Sequence, residues 1–390
     1  MIKRVVIKIG SNVLTRANGG LDTRRMSDLT RQVVSLRNRG IDVILVSSGA
    51  VASGREEISP NKKLDSVAAR QLFSAVGQTK LVNKYYNFFK KHHIVCGQVL
   101  TTKESLSTRG HYLNQRNCMR VMLENGVVPI VNENDTISVT ELMFTDNDEL
   151  SGMVATMMDA DALIILSNID GIYNGNPADK NSEVIRVVSS DLEDLSQYIS
   201  TTRSSFGRGG MLTKCRIASK VADEGVEVII ANGKRRNILE DLILGEGFSS
   251  VVKRANNRKK ISDLMIYDRD LNLVEVERVE VICTRFVPSD KKISTVKKWV
   301  AHSDGFAKGK LYVNQGAYQA LMQPKATSLL PVGVSSVEGE FEKDDIVTII
   351  SPDGESIGVG RVAVDSQAAR ESAGQKGHRA IIHYDYMYIE

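Results

Sequence analysis

Lys8 and Lys214 stand where a lysine is physically awkward. Lys8 interrupts Val5-Val6-Ile7-Lys8-Ile9-Gly10-Ser11, a nearly continuous apolar run of the kind that forms a strand buried on both faces. A lysine is almost never fully buried unless paired, and an isolated buried charge is costly. Two readings follow. Either the ammonium reaches a cleft at the carboxyl end of the strand and meets an anion there, or the strand is an edge strand with its lysine in water. Lys214 follows the glycine-rich stretch Phe206-Gly207-Arg208-Gly209-Gly210-Met211-Leu212-Thr213 and falls in the first turn of a helix, where a cation opposes the helix dipole. Glycines let backbone N–H groups approach an anion, and a bound anion would remove the conflict; the alternative is an ordinary turn. The order of residues is not that of a P-loop.

Three carboxylates, Asp135, Asp146 and Asp148, form a second constellation. They could share Mg²⁺ with substrate phosphates, recognise a substrate ammonium group, or form a solvated loop in which Asp146 or Asp148 caps a helix. Two lysines, a glycine loop and an acid cluster are together the parts that phosphoryl transfer needs: cations offset charge on the moving group, and acids hold metal or position groups. Other candidates have plainer readings. His92 and His93 close a helix, where histidines suit the dipole. Met157-Met158 reads as core, and the basic run at 254–260 as solvated surface.

The positioning elements follow from periodicity. Asp22 is an N-cap for a helix over 23–39, and Gly40 sits just past its end. Residues 41–46 form a second buried strand, followed by Ser47-Ser48-Gly49-Ala50 and Ser53-Gly54 as a small-residue turn, completing a βαβ unit. A helix over 66–91 carries a break near Gly77. Strands are expected at 94–100, 127–131, 162–166 and 226–230, with Pro129 marking an irregular or edge position. Helices are expected at 109–125, from about 145 to 158, from the glycine loop to Gly225, and at 238–244. Four polar loops therefore follow four apolar strands, at Gly10, 47–49, 132–135 and 167–171. Loops at the carboxyl ends of parallel strands share one sheet edge and can build one site. From about residue 245 a connector or insertion begins, and 309–388 reads as short strands between Gly, Pro and Asp turns.

Bulk properties set the outer bounds. A chain of 390 residues is too long for one ordinary core, so two or three domains are expected. Hydrophobic residues at 42% and charged residues at 25% suit a soluble protein, and a net charge of +4 does not by itself point to nucleic acid. Four dispersed cysteines and six histidines show no metal spacing, which suggests free thiols in a reducing cytosol. No charged leader with an apolar segment opens the sequence, and no apolar run approaches the ~20 residues of a membrane span.

Several stretches resemble the amino acid kinase family, and within it the branch that phosphorylates the γ-carboxylate of L-glutamate at the start of proline biosynthesis. They are residues 6–11, 46–55, 71–78, Val131-Asn132-Glu133-Asn134-Asp135, Asp146-Asn147-Asp148-Glu149-Leu150-Ser151 and Gly209-Gly210-Met211-Leu212-Thr213-Lys214, in order over 1–245. Residues 309–317, 328–334 and 337–341 resemble a PUA domain, a small β-barrel. The resemblance implies an α/β fold, a mostly parallel sheet between helix layers, with an amino acid kinase domain over 1–252, a connector with an insertion over 253–302 and a PUA domain over 303–385. It implies ATP and Mg²⁺ as cofactors, with no residue assigned as a direct metal ligand. Carried over by position, Lys8 and Lys214 would stabilise the transferring phosphoryl group, with Asp148 organising them. Ser48, Gly49, Asp135 and Asn147 would hold glutamate. Ser167, Asn168, Arg208, Gly209, Gly210, Met211, Leu212 and Thr213, with the two lysines, would contact ATP. Ser167-Asn168 stands where the family usually has Thr-Asp, and Arg208 where threonine is common. The resemblance also implies a cytoplasmic homo-oligomer, dimer or tetramer, inhibited by proline, with RNA a partner for the PUA domain and no membrane. Rival readings are a kinase acting on N-acetylglutamate or aspartate, and an RNA-binding regulator.

Overall fold

The computed structural model describes residues 2–103, 106, 108–137, 147–177, 179, 181–188, 211–244, 266–267, 273–274, 281–289, 295–303, 306–323 and 327–389. Asp146, Arg208, Gly209 and Gly210 lie outside the described residues, as does most of the expected insertion.

In chain order the first unit runs β1 (Arg4–Ile9), α1 (Ser11–Leu14), α2 (Thr23–Asn38), β2 (Asp42–Ser47), α3 (Ala50–Glu57), α4 (Ser66–Lys90), β3 (Cys96–Thr101), α5 (Arg109–Glu124) and β4 (Val128–Glu133). It continues with α6 (Asn147–Met157), β5 (Ala162–Ser167), the short strands β6 (Ile172–Tyr173), β7 (Val184–Ile185) and β8 (Val187–Val188), then α7 (Met211–Asp223), β9 (Glu227–Asn232) and α8 (Ile238–Ile243). A two-stranded pair, β10 (Ile266–Tyr267) and β11 (Leu273–Val274), precedes β12 (Cys283–Phe286) and α9 (Thr295–Ala301). The second unit holds β13 (Gly309–Val313), α10 (Gln315–Leu321), β14 (Val334–Gly339), β15 (Ile346–Ile350), β16 (Ser356–Val362), α11 (Ser366–Ser372) and β17 (Ile382–Ile389).

The large sheet has the order β3-β4-β2-β1-β5-β9-β12-β8. From β3 to β9 all pairings are parallel, and β12 runs antiparallel to β9. β1 is central, paired to β2 on one side and β5 on the other, so the edge position open to Lys8 from sequence alone is excluded. Side chains alternate along a strand. Val5, Ile7 and Ile9 join one core with Met26 of α2, Leu81 of α4 and Leu239 of α8. Val6 joins the opposite core with Met119 of α5, Met153 of α6 and Val221 of α7. Lys8 shares the parity of Val6 and so faces the layer that carries α6 and α7.

Local chemistry explains the helix ends. The Asp22 carboxylate caps α2 by accepting from the Arg25 amide at 3.0 Å, and Gly40 follows the helix at φ +79°. Four expectations are corrected. The small-residue stretch after Gly49 is the helix α3, not only a turn. No break occurs at Gly77: α4 is continuous, and Gly77 is a contact point, where a Cβ would overlap the Ala50 carbonyl oxygen and the Gly54 amide of α3. Gly54 mirrors it against the Phe73 carbonyl. Pro129 is not on an edge strand. β4 lies between β3 and β2, and its pairing with β2 begins at Ile130, just past the residue that lacks an N–H. Residues 283–286, expected within the connector, form β12 of the large sheet.

The second unit is a five-stranded sheet, β14-β13-β15-β16-β17, around its own core of Leu311, Val347, Ile349 and Ile382. Helix α9 attaches it to the first. Trp299 is buried and donates its indole N–H to the Leu106 carbonyl at 3.2 Å, in a core shared with Ile346 and Val359 of the second sheet. Buried His302 bridges Glu224, at 2.9 Å, and Thr156, at 3.2 Å, tying the far ends of α7 and α6 together.

Alanine normally stabilises a helix interior over glycine by about 0.5–1 kcal/mol. At Gly77 the sign reverses, because the overlapped atoms are backbone and cannot swing away, and overpacking costs roughly 1–3 kcal/mol. Gly77→Ala lowers the urea midpoint of unfolding. A raised or unchanged midpoint contradicts the α3–α4 packing described.

Candidate active site

Asp148 is the centre of the site. It is the second residue of α6, fully buried, and holds Lys8 Nζ at 2.5 Å through Oδ1 and Lys214 Nζ at 2.8 Å through Oδ2. Each partner arrives by a different physical route. Lys8 comes from near the carboxyl end of β1, level with Val46 and Ile165 of the flanking strands, and its ammonium lies 3.6 Å from where a Cβ on Gly10 would stand. Lys214 comes from the first turn of α7. Helices α6 and α7 approach closely because of Gly152, one turn beyond Asp148: a Cβ there would stand 2.8 Å from Val221 and 3.1 Å from Ile217. Ile217 and Val221 lie one and two turns beyond Lys214. The contact that sets the helix separation therefore also sets the Asp148–Lys214 distance.

Burial alone would raise the Asp148 carboxyl; the Lys8 and Lys214 ammonium groups outweigh it and pull the carboxyl down to about 2. Among the described residues, one buried carboxylate stands between two cations, a net charge of +1 at the edge of the sheet. A buried excess charge is expensive, so this arrangement calls for an anion.

Beside it runs a chain of side-chain amides. Asn147 Nδ2 donates to Ser48 Oγ and to Asn132 Oδ1, both at 3.0 Å. Asn132 Nδ2 donates to Gln78 Oε1 at 2.9 Å. Ser48 and Gly49 form the turn from β2 into α3, and Gly49 has φ +113°, a value that excludes side chains. Asp135 is buried nearby and ion-paired to Arg70 of α4, which also holds Glu133 at 3.0 Å. Asn147 and Asp148 are consecutive and, one residue apart on a helix, face different ways: Asn147 joins the amide chain and Asp148 the lysines.

Ser167 is buried at the end of β5, next to β1, where the Gly10 amide donates to the Leu166 carbonyl at 3.1 Å; Asn168 is exposed. Met211, Leu212 and Thr213 form the start of α7 with Lys214. The structure thus brings together Lys8, Lys214, Asp148, Ser48 and Asn147, and it places Gly49, Asp135, Ser167, Asn168 and 211–213 on loops or helix starts along the same sheet edge. Arg208, Gly209 and Gly210 lie outside the described residues.

Sequence reasoning assigned no role to Gln78, although it closes the 71–78 stretch that carries the resemblance, and missed Arg70 of α4, an ordinary helix position. It also missed a role for Asn132, although the residue stood in a singled-out polar loop. A further pair, Arg235 to Asp170 at 2.6 and 2.9 Å, links the loops after β9 and β5. Among the described residues, no three His, Cys, Asp or Glu side chains cluster as a metal cage. No described helix is long and apolar enough to cross a membrane.

The Asp148 ion pairs make a pH-dependent contribution to stability. The carboxyl is lower in the folded state than its ordinary 3.8, so its contribution is complete above about pH 4 and fades as pH falls toward 2. It amounts to roughly 2 kcal/mol, at 1.36 kcal/mol per unit. The stability difference between the wild type and Asp148→Asn, from urea unfolding, should be constant from about pH 7 to 5 and shrink below about pH 4. A difference that does not vary with pH contradicts the ion-pair geometry.

The chain matches the amino acid kinase family over residues 3–232 and the PUA domain over residues 309–384. It is 58% identical over 387 residues to a glutamate 5-kinase of Bacteroides thetaiotaomicron, covering 99% of this chain and 98% of that one. It is 43% identical over 392 residues to a glutamate 5-kinase of Chlorobaculum tepidum, covering 99% and 97%. A third, from Trichlorobacter lovleyi, is 36% identical over 376 residues, covering 96% and 90%. These likenesses span both units, and the lysine–carboxylate–lysine cluster lies within the matched kinase region. The chain belongs to the amino acid kinase family, in its glutamate 5-kinase branch, and carries a PUA domain after the kinase domain.

Proposed function

We propose that the chain transfers the γ-phosphoryl group of ATP to the γ-carboxylate of L-glutamate, giving L-glutamyl 5-phosphate and ADP. The buried Lys8–Asp148–Lys214 cluster, with a chain of side-chain amides starting one residue away at Asn147, carries the proposal. The nucleophile is the substrate's own carboxylate, ionised at neutral pH given a reference pKa of about 4.3. No general base is required. The barrier is repulsion between two anions, the carboxylate and the phosphoryl group, and the two ammonium groups offset it. Asp148 aims both lysines, and acts neither as base nor as nucleophile.

Ser48, Gly49, Asn147 and Asp135 hold glutamate in this reading, and Ser167, Asn168 and the 208–214 segment hold ATP. Asp148 is committed to two lysines, and the described residues form no metal cage, so the site fits Mg²⁺ only as a companion of the nucleotide phosphates. Bound there, Mg²⁺ neutralises phosphate charge. Feedback inhibition by proline, a homo-oligomeric state, RNA as a partner of the PUA domain and a cytoplasmic location belong to the same proposal.

ADP release with Mg·ATP should be seen with L-glutamate and not with N-acetylglutamate or L-aspartate, should yield a hydroxylamine-trappable product and should be inhibited by proline. Turnover with N-acetylglutamate at an equal or greater rate contradicts the substrate assignment. Lys8→Ala should lower kcat by about 100-fold or more with a smaller effect on the KM of glutamate, because its charge acts chiefly in the transition state. An unchanged kcat removes Lys8 from the chemistry.

A further inference from the structure

We infer that Gln78 is a substrate-binding residue, whose carboxamide nitrogen donates to the α-carboxylate of the bound amino acid, the carboxylate that does not react. The inference rests on the proposed glutamate kinase activity and deepens it.

Gln78 is only 9% exposed, and its Nε2 is a buried donor without a hydrogen-bond partner among the described residues. Buried amide donors are normally satisfied, and an exception calls for an explanation. The amide chain supplies one. Ser48 Oγ and Asn132 Oδ1 accept from Asn147, and Gln78 Oε1 accepts from Asn132. The side-chain carbonyls of Asn132 and Gln78 are both used as acceptors, so the polarity of the run leaves the donor end of Gln78 open.

The location is also specific. Gly77, the preceding residue, lies against Ala50 at the start of α3, immediately after the Ser48-Gly49 turn. Leu81, one turn further along α4, comes within 3.6 Å of where a Cβ on Gly49 would stand. Gln78 is thereby held between Asn132 and the Ser48-Gly49 turn, inside the cluster assigned to glutamate. The chemistry of the substrate completes the assignment. The γ-carboxylate must face the lysines, and Asp135 suits the ammonium group. The α-carboxylate then needs donors, and Gln78 has a free one.

The test compares the wild type, Gln78→Glu and Gln78→Ala, using Mg·ATP with L-glutamate or with L-isoglutamine, in which an α-carboxamide replaces the α-carboxylate. Gln78→Glu retains an oxygen for Asn132 and loses the donor. It should raise the KM for glutamate about tenfold or more, the size expected for a hydrogen bond to a charged group, and change the KM for ATP less than about twofold. Its kcat/KM preference should shift about tenfold toward isoglutamine, whose carboxamide can donate to the new carboxylate. Gln78→Ala should raise the glutamate KM without that shift. A purely structural role for Gln78 would not produce a shift in one variant alone. If the wild type uses glutamate and Gln78→Glu leaves its KM unchanged, the inference is overturned. A lowered KM also overturns it, because it would mean that Gln78 accepts from the ammonium group. A wild type inert toward glutamate overturns the kinase reading, and this inference with it.

Discussion

Asp148 placed between two ammonium groups is the constraint on which the rest of the site depends. Each of the three side chains would be costly where it stands without the others. Lys8 is 5% exposed in the central strand of an eight-stranded sheet, and Asp148 has no exposed surface. The fold makes the cluster tolerable by convergence. Strand alternation turns Lys8 toward the α6–α7 layer, and the missing side chain at Gly152 lets those helices close until Asp148 reaches Lys214. Among the described residues the cluster sets two cations against one carboxylate, an excess that a bound anion would balance.

From this follows the division of labour along α6. In the proposed reaction Asp148 serves the phosphoryl side, while Asn147, its neighbour in sequence, anchors the amide chain that runs through Asn132 to Gln78. The ion cluster and the amide chain thus share one helix start, which couples their spacing to the backbone itself and not to the reach of a flexible side chain. The far ends of α6 and α7 are tied in turn through Thr156, Glu224 and His302 to the helix α9 that carries the second unit.

Much of this was legible in the sequence. Apolar runs ending in polar loops identified the strands and the edge that holds the site, and the physical awkwardness of Lys8 and Lys214 marked both cations before any geometry was known. What could not be read were close approaches between elements distant in sequence. Gly77 looks like a helix break because glycine weakens helices; its actual role, admitting α3, depends on a contact 27 residues away at Ala50. Pro129 suggests an edge, and only the late start of the β4–β2 ladder shows how an interior strand accommodates it. Residues 283–286 look like connector because the strand they pair with, β9, lies across a long intervening segment. Gln78 stands in the 71–78 stretch and Arg70 just before it, but the part each plays comes only from its contacts with Asn132 and Asp135.

The central claim is that the two lysines recognise the charge of the transferring phosphoryl group more strongly than that of bound ATP. Calorimetric titration of the wild type and Lys8→Ala with a non-hydrolysable ATP analogue, and with ADP–aluminium fluoride plus L-glutamate, tests it most directly. The account predicts that Lys8→Ala weakens binding of the aluminium fluoride complex by about 100-fold and binding of the ATP analogue by less than about tenfold. Equal losses for the two ligands, or none for either, would contradict it.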